Sequence, residues 1–159
     1  MAGKYEWPAM TRDLSGMLRD LRGGAPDIMK AFGALAQTAL AANALDTKTK
    51  ELIALAIGVA TRCDDCIAFH AKAAVDLGAT KEEIVETLAM AIYMGAGPSA
   101  MYASHAFNAY AQFAEATAGM YKAAGYAAAR ARGCRAWARK MAQRPPAAGP
   151  FPARGDGEP

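Results

Sequence analysis

Two thiols and an imidazole fall at close spacing in Cys63-Asp64-Asp65-Cys66-Ile67-Ala68-Phe69-His70, a C-x2-C-x3-H run. On a helix, residues three, four and seven apart share a face, so all three groups point the same way. A three-residue offset lets two sulfurs pair, and a helix N-terminus favours the thiolate that such chemistry needs. Asp64 and Asp65 work against it by like-charge repulsion. The run therefore suits a reactive dithiol. Other readings of the same residues remain. Tetrahedral zinc needs four ligands; Cys63, Cys66 and His70 supply three, with Glu51 or His105 available as a fourth. Two buried cysteines and a core histidine are also ordinary packing. A thioredoxin site needs a strand before the CxxC helix, and covalent haem needs His directly after the second Cys, where Ile67 stands.

Glu51 heads an otherwise apolar stretch, Leu52 to Ala60. At a helix start beside Lys48 and Lys50 it reads most simply as a solvated carboxylate. Antiparallel packing of its helix on the next would instead bring it near His70. A Glu beside an imidazole holds its tautomer and accepts positive charge from it, which permits a Glu-His-Cys proton relay.

The elements that must place these groups are helical. Apolar residues recur at helical spacing from Met10 to Leu21, then from Pro26 to about Ala44. Asp46 looks like the N-cap of the helix carrying Glu51, which is apolar almost all round and so central or at a subunit interface. The dithiol helix starts at residues 61–65 and ends at Leu77, with Gly78 as its C′ residue. Thr80 and Glu83 form a capping box opening the next helix, which ends at Gly95. Pro98 opens the last core helix, with Met101, Tyr102, His105, Ala109 and Phe113. His105 reads as a partly buried core or interface histidine, with a substrate pocket as the alternative.

Composition agrees. The 159 residues are 53% hydrophobic and 21% charged, and 41 are Ala, which favours an all-α fold over a β-sandwich or barrel. Three cysteines are too few for a disulfide-stapled secreted scaffold. Met1 to Trp7 has no apolar signal region, and the uncharged stretch Thr87–Ala114 is broken by Gly95-Ala96-Gly97-Pro98. The expectation is a cytoplasmic protein with reduced thiols, without membrane or nucleic-acid partners. The expected organisation is an N-terminal helical segment (1–25), a core (26–120), an Ala/Arg-rich C-terminal helix (121–143) and a disordered Pro/Gly-rich tail (144–159). Residues 130–159 hold seven Lys/Arg against two acids, a basic end best read as solvated. Within it Cys134 is read as a bystander thiol.

The spacing Glu51-x11-Cys63-x2-Cys66-x3-His70, the turn Leu77-Gly78-Ala79-Thr80-Lys81-Glu82-Glu83-Ile84 and Tyr93-Met94-Gly95-Ala96-Gly97-Pro98 together resemble the carboxymuconolactone decarboxylase superfamily, in its alkylhydroperoxidase D-like branch. The resemblance covers roughly residues 30–115. It implies an all-α helical bundle assembled as a homo-oligomer, a trimer or hexamer. It also implies a peroxidase in antioxidant defence, with no cofactor and no metal. Carried over by position, Cys66 is the nucleophile that attacks a hydroperoxide, and Cys63 resolves the sulfenic acid to a disulfide. His70 relays the proton, Glu51 is its partner, and a dithiol reductant protein resets the pair. One departure stands out: the characterised peroxidase has a histidine directly before the second cysteine, where this chain has Asp65. General thiol–disulfide exchange is thus a second expected activity. Decarboxylase members lack the cysteine pair. The rival reading is a non-enzymatic oligomerisation module with structural or metal-binding cysteines.

Overall fold

The computed structural model describes residues 5–123. The expected C-terminal helix beyond residue 123, the 144–159 tail and Cys134 lie outside that range. Five helices follow in order: α1 (Trp7–Gly24), α2 (Pro26–Leu40), α3 (Thr47–Ala60), α4 (Asp64–Asp76) and α5 (Lys81–Ala123). Among the described residues there is no strand, so the fold is all-α as the composition requires.

Local chemistry sets each boundary. Asp46 caps α3, its carboxylate accepting from the Thr49 N–H at 2.7 Å. Helix α2 stops at Leu40, short of the expected Ala44, because Lys50 reaches back from α3. Its Nζ donates to the carbonyls of Ala39 and Ala41 at 2.8 and 2.6 Å, a cation where the helix dipole is negative. Helix α3 ends in a Schellman turn: the Cys63 N–H donates to Gly58 O and the Arg62 N–H to Val59 O, with Arg62 in the left-handed region (φ 60). The same device ends α4, with Gly78 at φ 77 and the Ala79 N–H on Ala74 O. Thr80 and Glu83 form the expected capping box at α5, with bonds of 2.8 and 3.2 Å.

Helix α5 carries a break where the sequence places a turn. Ala96 has φ 49 and ψ −142, two residues before Pro98. A Cβ on Gly95 would run into the Ser99 side chain, which is buried, so only glycine permits the close turn. Pro98 cannot donate back into the preceding turn, so α5 consists of two helices meeting at a kink at Ala96, where the expected turn lies.

The core gathers Leu55 and Val59 of α3, Ile67, Ala68, Ala71 and Ala74 of α4, and Ile84, Leu88, Ala103, Ala106 and Phe113 of α5. Trp7 is fully buried among them, and its indole N–H donates to Asn108 Oδ1 at 2.9 Å. The sequence pattern began α1 only at Met10 and missed this anchor. Helix α3 is central on one side only: Leu55 and Val59 are buried, but Ile53 and Ile57 are exposed. Leu55→Ala should cost about 2–5 kcal/mol in chemical denaturation, since no neighbour on three packed helices can easily close the cavity.

A link between α3 and α5 responds to pH. Lys48 Nζ donates to Glu83 Oε1 at 2.6 Å. That bond, then the Thr80 N–H, holds the Glu83 carboxyl below its ordinary value of 4.5. The depressed folded-state value places this stabilisation at pH above 4.5 and removes it as pH falls through the lower folded value. Thermal midpoints across that window should fall less steeply in Glu83→Gln than in the unaltered chain.

Candidate functional site

The turn between α3 and α4 builds the site. Cys63 is the N-cap of α4, with extended backbone (φ −104, ψ 94), and its sulfur accepts from the Cys66 N–H at 3.2 Å. Cys66 lies in the first helical turn. The two Cα atoms are 5.2 Å apart, within the range a disulfide spans, and the cysteines are bonded to each other. The three-residue offset thus lets the two sulfurs pair, as the spacing in the sequence suggests. Both cysteines are half-buried at the positive end of a helix dipole.

One turn further along α4, His70 Nδ1 donates to Glu51 Oε2 at 2.7 Å. The antiparallel α3–α4 hairpin creates this contact from a separation of 19 residues. The Glu51 side chain is only 8% exposed and that of His70 29% exposed. The solvated reading of Glu51 is therefore corrected: the carboxylate lies inside the hairpin and holds one face of the imidazole. With Nδ1 carrying the proton toward Glu51, Nε2 is the nitrogen left to exchange a proton elsewhere. Glu51, Cys63, Cys66 and His70 are all brought onto one hairpin.

A second pair was not foreseen. His105 Nδ1 donates to Asp64 Oδ1 at 2.9 Å, joining the second half of α5 to the first residue of α4. Sequence reasoning treated Asp64 as a first-turn acid and a repulsive charge, and His105 as a core or interface residue with a pocket-lining or zinc-ligand role as alternatives, and did not pair the two. A contact across 41 positions leaves no periodic signal. Both side chains are half-exposed, so His105 is not sealed in the core.

Among the described residues no cluster of three or more His, Cys, Asp or Glu side chains is placed to hold a metal ion. No helix among them is long and apolar enough to cross a membrane. A cleft of about 600 Å³ lined by α1, α4 and α5, including Arg12, Lys72 and Phe113, contains none of the site side chains.

Comparison with known proteins places this geometry. Residues 26–109 match the family model for the carboxymuconolactone decarboxylase family. An uncharacterized protein of Cupriavidus necator is 42% identical over 104 residues, 61% of this chain and 92% of that protein. A crystal structure of a carboxymuconolactone decarboxylase family protein from Legionella pneumophila superposes with a TM-score of 0.67 at 48% identity, over 69% of this chain and 97% of the other. A family protein from Thermotoga maritima, with a suggested involvement in an antioxidative response, aligns with a TM-score of 0.60 at 30% identity, over 72% of this chain and 94% of its own. The helical architecture, the match to most of the described residues and the near-complete coverage of these relatives agree: the chain belongs to the carboxymuconolactone decarboxylase family.

Proposed function

We propose that this protein is an alkylhydroperoxidase D-like oxidoreductase, which reduces hydroperoxides or exchanges disulfides through Cys63 and Cys66. The observation that carries the reading is a half-buried disulfide at a helix N-terminus, with an imidazole held by a buried carboxylate one turn away. The suggested antioxidative role of the Thermotoga relative supports the same class.

In the forward step the Cys66 thiolate attacks the terminal oxygen of a hydroperoxide. An S–O bond forms, the O–O bond breaks, and the alcohol leaves with a proton relayed by His70. The Cys63 thiolate then attacks the sulfenic sulfur. The S–S bond forms and water leaves, its hydroxide protonated through the same imidazole. Glu51 fixes the ring and offsets its positive charge while it carries the proton. A dithiol protein restores two thiols and is itself oxidised to a disulfide, which suits a reducing cytoplasm. Asp65 places a second carboxylate in the first turn of α4, where it disfavours the thiolate that hydroperoxide attack and disulfide exchange both require. The direct test is consumption of hydroperoxide by the reduced chain with a dithiol reductant. Turnover supports the peroxidase activity; exchange with dithiols alone leaves the oxidoreductase without it.

The proposal includes a homo-oligomer, a trimer or hexamer. No residue of α2 is buried, although Ile28, Phe32 and Leu35 are 72%, 61% and 65% exposed. A contiguous apolar helix face of this kind is costly in water and suits burial against further copies. Phe32→Glu should lower the mass in sedimentation equilibrium. An unchanged assembly would place the interface on another face.

A further inference from the structure

The dithiol turn has an imidazole–carboxylate pair on each flank. Glu51 and His70 serve the Cys66 side. On the Cys63 side, Asp64 is the next residue in the chain and the first of α4, and His105 donates to it at 2.9 Å. Two tyrosine rings pack against the histidine. The His105 ring lies 5.0 Å from that of Tyr5 and 5.1 Å from that of Tyr102, centroid to centroid. The N-terminal arm that brings Tyr5 is itself fastened to α5. Gln112 Oε1 accepts from the Trp7 backbone N–H at 2.9 Å, and Gln112 Nε2 donates to the Tyr5 carbonyl at 2.9 Å. Three parts of the chain thus fix one imidazole onto the carboxylate of the residue that directly follows Cys63.

The electrostatic consequence falls on one redox state. The disulfide carries no charge, whereas reduction makes a thiolate available at the helix N-terminus. Asp64 repels that thiolate and scarcely affects the disulfide. An imidazole donating to the carboxylate draws its charge away from the sulfur, and cancels it on taking up a proton. We propose that His105 is a positioning residue for the dithiol: acting through Asp64, it relieves the repulsion at Cys63 and so favours the reduced, nucleophilic form. This rests on the redox reading of Cys63 and Cys66 given above. The step it tunes is balanced: two glutathione thiols deliver two electrons and two protons to the Cys63–Cys66 bond, which breaks, and one glutathione disulfide forms.

The test is a double-mutant cycle in the full chain, using Asp64→Asn, His105→Gln and both together. Two quantities are read at neutral pH: the rate of Cys63 alkylation by iodoacetamide, with peptide mapping to separate Cys66 and Cys134, and the equilibrium with a glutathione redox buffer. Asp64→Asn should speed alkylation about fivefold and move the equilibrium toward the dithiol, as expected for removal of a nearby like charge. His105→Gln should slow alkylation about threefold and move the equilibrium the other way, on the same electrostatic grounds. In the Asp64→Asn background His105→Gln should change neither. The same His105→Gln effect in both backgrounds, or none in the unaltered chain, would overturn the proposal. Should His105→Gln fail to fold, His105→Asn carries the same expectations. A disulfide inert to glutathione removes the redox reading, and this role with it. A full coupling without hydroperoxide turnover supports the role and removes only the peroxidase activity.

Discussion

Replacing Cys66 with Ser should lower hydroperoxide turnover by about a thousandfold or more, because loss of the attacking atom leaves nothing to form the covalent intermediate. Cys63→Ser should behave differently. Its Cys66 still attacks, but the sulfenic acid then lacks a resolving thiol and persists, open to trapping by a dimedone-type reagent. Mass spectrometry of the trapped peptide distinguishes the two roles. Trapping at Cys63 in the Cys66→Ser chain, at the rate of the Cys63→Ser chain, would reverse the assignment. Both substitutions are close in volume, and the site is half-buried, so the helical fold should survive each of them.

The second large effect concerns the relay. Glu51→Gln and His70→Ala should each slow peroxide-dependent oxidation by about 10²-fold or more, the usual contribution of a placed proton-transfer group. Glu51→Gln keeps the shape and hydrogen-bonding capacity of the side chain while removing its charge. It therefore tests the carboxylate's effect on the imidazole with little disturbance to the hairpin. His70→Ala leaves a buried carboxylate unpartnered and should also cost about 2 kcal/mol of stability. Adding Glu51→Gln to His70→Ala should slow the reaction little further, because the glutamate acts through the ring. Rates equal to those of the unaltered chain in either single variant would remove the relay.

The two flanks of the dithiol differ in how far the sequence exposes them. Glu51 and His70 lie on consecutive helices joined by a three-residue turn, so an antiparallel hairpin already suggests their meeting. The fold then supplied what sequence could not: the burial that turns a surface-looking glutamate into an enclosed one. Asp64 and His105 meet across α4 and α5, and their contact depends on the break at Ala96 and the packing of the whole core. Nothing in the local spacing encodes it. Trp7 was hidden for a similar reason, since one aromatic residue ahead of a periodic run has no partner until Asn108 and Gln112 arrive from α5, more than a hundred residues away. The N-cap Asp46, the capping box of Thr80 and Glu83 and the C′ residue Gly78 were plain because each acts on backbone groups within a few residues of itself, whereas Arg62, the C′ residue of α3, was read as part of the next helix start. The end of α2 was misplaced because Ala41, Ala42 and Ala44 are all good helix formers, and the group that stops the helix, Lys50, belongs to the next one.

The exposed face of α2 and the half-buried dithiol make separate demands on the molecule. The first concerns assembly, the second reactivity, and substitutions at Phe32 and Cys66 should separate them. An oligomer that persists in the Cys66→Ser chain would show that subunit contact does not depend on the redox centre.

The most direct measurement is a thiol count on the fully reduced chain before and after one equivalent of hydroperoxide, followed by peptide mapping. The account predicts that two thiols disappear per chain, that they are recovered as a bond between Cys63 and Cys66, and that Cys134 keeps its thiol. Retention of all three thiols at ordinary reactivity would contradict it.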